Sequence, residues 1–285
     1  MTLDAADTGP TADTGPGADP ATGPVAGPPR VRARPELARL QAMIDASRRI
    51  VFFGGAGVST ESGIPDFRSA DGLYTGGGPI PPEVILSRDF IEQRPREFFE
   101  FYRRHVLHPD ARPNPAHLKL AELERAGRLD AIITQNIDGL HQAAGSANVI
   151  ELHGSVHRNR CRECGREHPL EAVYKASGVP RCGCGGTVLP EVVLYGDPLD
   201  RDVLEAAAEA LARADMLIIG GTSLVVYPAA GLVGHFGGER LAVINKTRLD
   251  GIGRLGGRPG GRALVIAKPI GAMLAGVQVR QPGDG

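Results

Sequence analysis

The sequence lacks several features that would assign a protein to a broad functional class. Its 285 residues carry 32 basic against 33 acidic side chains, so we expect no direct nucleic-acid binding. No apolar run reaches about 18 residues, and we therefore expect no transmembrane helix and no membrane partner. The N-terminus has no basic start followed by an apolar stretch, so no secretory signal is expected and the predicted location is cytoplasmic.

Cysteine is also scarce, and its four positions are clustered. They are Cys161, Cys164, Cys182 and Cys184. Two close pairs in a chain of this length suggest a metal site more than disulfides, and four thiolates are typical of a closed, tetrahedral zinc site. Because the second pair has only one intervening residue, His157 and His168 are alternative ligands. We predict structural zinc bound by the four cysteines.

The length fits about one large and one small domain once the first residues are set aside. Residues 1–35 are rich in Gly, Pro, Ala, Thr and Asp and contain Ala-Asp-Thr-Gly-Pro twice, at 6–10 and 12–16. Such a segment cannot bury enough apolar surface to offset its ordering entropy. We predict a disordered, solvated tail, with partner binding as the less favoured alternative.

A glycine-rich turn follows the first predicted strand. The apolar run 50–53 suits a buried parallel strand, and Gly54, Gly55 and Gly57 allow the backbone to turn sharply and approach a ligand. A helix that begins there would direct its free N–H groups at a phosphate. A tight loop without a ligand is the alternative.

The next segment places a carboxylate, an aromatic ring and a guanidinium on consecutive residues. Asp66, Phe67 and Arg68 follow Pro65, which cannot extend a helix. This segment could fold over a cofactor, with Asp66 bonded to an amide, Phe67 over a reactive ring and Arg68 on a phosphate. A surface loop anchored by one Phe is the alternative.

Polar residues also follow the predicted strand 130–134. Gln135, Asn136 and Asp138 could bind ribose hydroxyls and a carboxamide, because open α/β sheets bind ligands beyond the carboxyl ends of their strands. Capping of the next helix is the alternative. A third predicted strand, 149–154, ends with His153, whose imidazole has a pKa suited to proton transfer, although a lone histidine there is usually structural.

Three stretches together resemble the signatures of the sirtuins, the NAD-dependent protein deacylases. They are Gly55–Arg68, Thr134–His141 and Leu152–Gly154. The resemblance covers about 36–279 and implies bound NAD, with His153 and Asn136 as catalytic residues. The NAD-binding residues that it implies are Gly55, Ala56, Gly57, Ser59, Asp66, Phe67, Arg68, Gln135, Asn136, Ile137, Asp138, Gly221, Thr222, Ser223, Asn245 and Lys246.

The segment 190–197 resembles the substrate strand of that family, which usually ends Phe-Gly-Glu and here ends Tyr195-Gly196-Asp197. The resemblance implies that acylated-lysine proteins bind here by strand addition. Val193, Tyr195 and Gly196 are the implied substrate residues, with the Val193 carbonyl as acceptor for the acyl-lysine N–H. The second cysteine pair departs from the family, which normally has two intervening residues.

Buried strands that alternate with helices predict an α/β fold, a doubly wound, Rossmann-like parallel sheet with a smaller zinc-ribbon and helical domain. The sheet domain is predicted from 36–68, 113–155 and 191–279, and the small domain from the helical part 69–112 and the ribbon 156–190.

The predicted function is NAD-dependent removal of acyl groups from protein lysines, which gives nicotinamide, O-acyl-ADP-ribose and free lysine. A mono-ADP-ribosyltransferase and a noncatalytic NAD- and zinc-binding interaction module are the alternatives. Sirtuins that prefer succinyl groups resemble one another in a Tyr and an Arg three residues apart. Only half of that pair occurs near Tyr102, so we expect short uncharged acyl groups to be preferred.

Overall fold

The computed structural model describes residues 35–67, 69, 72–75, 79–225, 227–247 and 263–280. Arg68 and the predicted tail, apart from Pro35, lie outside these ranges. The strands are β1 (Ile50–Gly54), β2 (Leu129–Thr134), β3 (Val149–Glu151), β4 (Gly154–Cys161), β5 (Glu167–His168), β6 (Val188–Val192), β7 (Met216–Gly220), β8 (Arg240–Ile244) and β9 (Leu264–Ile266). The α-helices are α1 (Pro35–Asp45), α2 (Pro82–Ile85), α3 (Arg88–Gln93), α4 (Pro95–His105), α5 (Pro115–Arg125), α6 (Leu140–Ala143), α7 (Glu171–Tyr174), α8 (Arg201–Arg213) and α9 (Ile270–Leu274). Shorter 3₁₀ helices span Ala56–Ser62, Leu73–Thr75 and Ala229–His235. Within the described ranges, no helix combines the length and the apolar character needed to cross a bilayer.

Six strands form one parallel sheet in the order β3-β2-β1-β7-β8-β9. The chain moves outward from β1 to β3, then returns beside β1 and moves outward the other way. Its switch point lies between β1 and β7, where Gly54 pairs with Gly220. Open α/β sheets bind ligands at such a point. The predicted doubly wound sheet is therefore confirmed.

Both faces of this sheet are buried. Ile50 and Phe52 pack on one side with α1, α5 and α9, whereas Val51 and Phe53 pack on the other side with α8. A central strand covered on both faces has a continuous apolar sequence in place of an alternating one. This is why the run 50–53 predicts its strand correctly.

A second, antiparallel sheet has the order β5-β4-β6 and shares a core with α3, α4 and α7. The sequence predicts one helix over 89–106, but the structure has two, because Pro95 lacks an N–H and Arg94 takes an extended φ of −134°.

The third predicted strand also ends early, at Glu151, and Gly154 turns the chain with a φ of 76°. A Cβ there would lie 2.1 Å from the Glu191 carbonyl oxygen. The limits of the two predicted domains stay a prediction.

Two buried histidines meet between α5 and α6. The rings of His117 and His141 lie 4.7 Å apart, and each residue is at most 1% exposed. His117 Nδ1 accepts the Asn114 N–H, so its proton lies on Nε2. That Nε2 and both nitrogens of His141 have no partner among the described residues. Burial lowers the pKa of His117 to about 4 and that of His141 to about 3, so both rings are neutral at pH 7.

Acid should therefore destabilise the fold through this pair. The folded-state pKa values lie below the ordinary value near 6.5. The free energy of unfolding that the two histidines contribute is therefore complete above about pH 6.5 and is lost as the pH falls toward 4. Each histidine contributes a slope of up to about 1.4 kcal/mol per pH unit. His141→Phe, beside Phe52, should reduce the slope by about that amount in urea unfolding between pH 6.5 and 4.

The matched control is His235→Asn on the surface, which should leave the slope of the wild-type protein unchanged. Comparison with the wild type removes the contribution of the carboxyl groups that titrate over the same range. A slope in His141→Phe equal to that of the wild type would contradict the prediction.

Candidate functional site

The glycines at the switch point are required by contact between two turns of the protein. Gly57 N–H donates to the Gly221 carbonyl at 2.7 Å, and a Cβ on Gly57 would lie 2.8 Å from Gly221 Cα. A Cβ on Gly221 would lie 2.3 Å from Val58 N. The sequence predicts that these glycines make room for a ligand, whereas the structure shows that the turn after β7 itself occupies the space beside Gly57. The helix that follows is a 3₁₀ helix.

A buried serine joins the turns after β1 and β2. Ser59 Oγ donates to Asp138 Oδ2 at 2.6 Å and accepts from Asn136 Nδ2 at 3.0 Å. Asp138 Oδ1 also accepts the Leu140 N–H at the start of α6. Asp138 therefore accepts an N–H from the first turn of α6 and also belongs to the polar cluster, although the N-cap position itself is Gly139.

His153 lies beside this cluster, between β3 and β4. Its Nδ1 is 2.9 Å from the Gln135 carbonyl oxygen. Because a carbonyl can only accept, Nδ1 carries the proton and Nε2 remains the basic nitrogen. Burial lowers the pKa of His153, against the opposing effect of this hydrogen bond. The geometry therefore favours a neutral imidazole with one accepting nitrogen.

The carboxyl ends of β2, β7 and β8 meet around Thr222. Gln135 Nε2 donates to Thr222 Oγ1 at 3.3 Å, and Asn245 Nδ2 donates to the Thr222 carbonyl at 2.8 Å. Lys246 Nζ lies 3.5 Å from Thr60 Oγ1. The structure thus brings together residues that are up to 186 positions apart in the chain.

The loop after the 3₁₀ helix Ala56–Ser62 is held in part by Ser69 and Tyr74, which the local sequence pattern does not single out. Asp66 Oδ1 accepts the Ser69 N–H at 2.7 Å, and the Phe67 ring lies 5.5 Å from that of Tyr74. The Tyr74 hydroxyl is hydrogen-bonded to the Tyr195 hydroxyl. Tyr74 lies in a stretch rich in Gly and Pro, and nothing in its local pattern indicates this contact.

The predicted substrate segment begins beside His153. Val193 N–H donates to the His153 carbonyl at 3.0 Å, and β6, which precedes it, pairs with β4. Among the described residues, no hydrogen bond reaches the Val193 carbonyl. Tyr195 is 42% exposed, and Gly196 has a φ of 94°. An open acceptor therefore lies close to His153.

The four cysteines form one cluster, in which all Sγ atoms lie within 4.8 Å of one another. The Cys161–Cys184 and Cys164–Cys182 separations are 3.5 and 3.7 Å. Sulfurs about 2.3 Å from a tetrahedral zinc ion would be about 3.8 Å apart, so this donor set fits zinc. Hydrogen bonding, first from the Cys184 backbone, lowers the pKa of Cys182 to about 6, whereas the pKa of Cys161 in the same cluster is raised to about 12.

Two further observations concern the zinc ligands. A Cβ on Gly186 would lie 1.9 Å from Glu163 Oε2 and 2.7 Å from Cys161 Sγ, so glycine at this position leaves room for the sulfur cluster. The alternative ligand His157 lies outside the cluster found among the described residues, and its Nε2 is bonded to the Asp138 carbonyl at 3.0 Å. His168 is not among the clustered ligand atoms of the described residues, but its side chain is hydrogen-bonded to Cys182.

Comparisons with known proteins agree with these features. A family model described as the Sir2 family matches residues 55–228. An NAD-dependent protein deacetylase of Cutibacterium acnes is 55% identical over 242 residues, which are 84% of this chain and 96% of the relative. A solved structure described as "Structural Basis for the Mechanism and Regulation of Sir2 Enzymes" has a TM-score of 0.73 at 38% identity, over 84% of this chain and 95% of its own. A Sir2 complex with a propionylated peptide has a TM-score of 0.70 at 35% identity, with the same coverage. Since the family model spans more than half of the sequence and the relative nearly all of its own length, the chain belongs to the Sir2 family, the sirtuins.

Proposed function

We propose that this protein is an NAD-dependent protein-lysine deacylase that produces nicotinamide, O-acyl-ADP-ribose and free lysine. The observation that carries the proposal is the neutral His153 between the ligand edge of the sheet and the segment 193–196. Relatives described as NAD-dependent protein deacetylases support it, as does a Sir2 structure described with a deacetylated peptide and an acetyl ADP-ribose. The proposed partners are acylated-lysine proteins, and the proposed location is the cytoplasm.

The residues at the switch point fit NAD. Bound NAD supplies the ADP-ribosyl group to which the acyl group is transferred. The backbone of Gly55–Gly57 would lie along the pyrophosphate, although the Gly57 N–H is already used by Gly221. Ser59, Asp66, Phe67, Asn136, Ile137 and Asp138 would surround the nicotinamide half. Gly221, Thr222, Ser223, Asn245 and Lys246 would hold the adenosine half.

Residues of the chain would then provide both proton transfer and alignment of the substrate peptide. The Gln135 carbonyl fixes the His153 tautomer, so that Nε2 can accept a proton from a ribose hydroxyl. The open Val193 carbonyl would accept the acyl-lysine N–H, while the peptide adds as a strand. Because Val193 is bonded to the His153 carbonyl, the base and the peptide acceptor keep a fixed relation to each other.

Removal of the imidazole should stop the chemistry and spare cofactor binding. We expect His153→Ala to lose about 10²–10⁴-fold in kcat/KM on an acetylated peptide, with NAD affinity little changed. In the wild type, kcat/KM should stay high below pH 6.5 and fall as the pH drops through the lowered pKa of His153. Chromatography of the products checks both statements. Full activity in the variant would contradict the role of His153 as base, and ADP-ribosylated protein in place of free lysine would favour a transferase.

Zinc should be present at about one ion per chain. Because a structural metal contributes folding free energy, a strong chelator should lower the melting temperature by about 5 °C or more. Metal analysis by mass spectrometry, with melting curves, measures both. His168→Ala is the matched control and should keep its metal, whereas Cys161→Ser should lose it. Stable protein without zinc would contradict the assignment.

Short uncharged acyl groups should be preferred to succinyl. Tyr102 is 1% exposed, within the core, and Arg103 donates to the Gly178 carbonyl at 2.8 Å, so neither is placed to hold a distal carboxylate. An unpaired carboxylate at a partly buried site costs at least about 1.4 kcal/mol, or tenfold. We expect kcat/KM to be about tenfold or more higher for an acetyl than for a matched succinyl peptide, and a higher succinyl value would contradict this.

A further inference from the structure

The segment that carries the proposed peptide acceptor is fastened by an ion pair outside the polar cluster. Arg88, the first residue of α3, donates from Nε to Asp197 Oδ1 at 2.9 Å and from Nη2 to Oδ2 at 2.7 Å. The side chains are 37% and 17% exposed. A bidentate pair of this kind fixes orientation as well as distance, and it is stronger than a single-point contact.

The same carboxylate closes the turn that ends the segment. Asp197 Oδ2 accepts the Leu194 N–H at 3.0 Å, while Asp197 N–H donates to the Leu194 carbonyl at 2.9 Å. Gly196 between them takes a φ of 94°, which few residues other than glycine adopt readily. Asp197 therefore determines how the turn Leu194–Asp197 is folded.

The backbone of Tyr195 is bonded to the residues on either side of Ser87. Its N–H donates to the Leu86 carbonyl at 2.9 Å, and its carbonyl accepts the Arg88 N–H at 3.0 Å. Arg88 thus holds the segment through both its side chain and its main chain. The orientation of Val193–Gly196 depends on the start of α3.

The surrounding charges keep the pair ionised. Partial burial raises the pKa of Asp197, but the hydrogen bonds from Arg88 and Leu194 outweigh it and lower that pKa. Glu92, one turn along α3, adds to the attraction on Arg88 and is itself 3.6 Å from Arg162. These are the charged groups that face the pair among the described residues.

We propose that Arg88 and Asp197 are positioning residues for the acylated peptide. They act through the backbone of Val193–Gly196, which they hold at the angle at which a peptide strand can add beside His153, and they do not touch the reacting atoms. The inference rests on the proposed function. It also gives a reason for Asp197 where the similar family segment usually ends in Glu, since Asp197 reaches both Arg88 and Leu194 in this geometry.

Single and double substitutions test the proposal. Arg88→Met and Asp197→Asn should each raise the KM for an acetylated peptide about tenfold, with kcat and the KM for NAD within about twofold of the wild type. The double variant should be no worse than either single one, because both remove the same interaction. Arg88→Lys keeps the charge but cannot form the bidentate pair, so it should restore only part of the lost peptide affinity. The control pair is Glu209→Gln and Arg213→Met on α8, an exposed pair that should change neither KM.

A role in stability alone would move other quantities. It would lower the melting temperature and impair NAD and peptide kinetics together, and that result would overturn the proposal. Asp197→Asn keeps the shape of the side chain and still accepts from Leu194, so it serves if Arg88→Met does not fold. An unchanged peptide KM in folded Asp197→Asn would also overturn it.

Binding of a labelled acetylated peptide, followed by fluorescence anisotropy, separates this inference from the proposed function. If the wild type binds the peptide without turnover, the deacylase proposal fails. A tenfold weaker Kd in Asp197→Asn would then still support positioning, whereas an equal Kd would refute it. If the wild type binds no peptide at all, both proposals fall.

Discussion

The contact between two glycine turns is the constraint on which the site depends. Gly57 and Gly221 approach so closely that neither position tolerates a Cβ without displacement of backbone. The contact brings the carboxyl ends of β1 and β7 together at the switch point of the sheet, where ligands bind in such folds. Ser59 and Thr222 follow these two turns directly, so their polar clusters are placed by the same contact.

Three main-chain carbonyls of the turn after β2 hold the start of β4 by hydrogen bonds. The carbonyls of Gln135, Ile137 and Asp138 accept from the His153 ring, the Val156 N–H and the His157 ring. The beginning of β4 is thus bonded to the residues proposed to surround nicotinamide. This arrangement explains why His157, which carries no assigned chemistry, lies against Gly139.

Local sequence patterns predict the strands and the cysteine cluster of this protein. They do not predict the role of a residue whose partner is distant in the chain. A continuous apolar run identifies β1 because both faces of the sheet are buried. The two cysteine pairs predict their own cluster because zinc demands a fixed donor set. The reason for Gly57 is not visible locally, since its neighbour Gly221 lies 164 residues further along the chain. Arg88 and Asp197 are equally hidden, because a surface charge gains a role only from its distant partner.

The eight residues of β4 have a consequence for how sirtuins of this type can vary. The strand starts one residue after His153 and ends at Cys161, and it spans roughly 25 Å at about 3.3 Å per residue. The proposed base His153 precedes one end of the strand, and Cys161 of the sulfur cluster forms the other. A one-residue insertion after Asn159, where β4 pairs regularly with β6, would turn the later side chains to the opposite face. Evolutionary changes in length should therefore accumulate between Cys164 and Cys182, and the number of residues from His153 to Cys161 should stay constant.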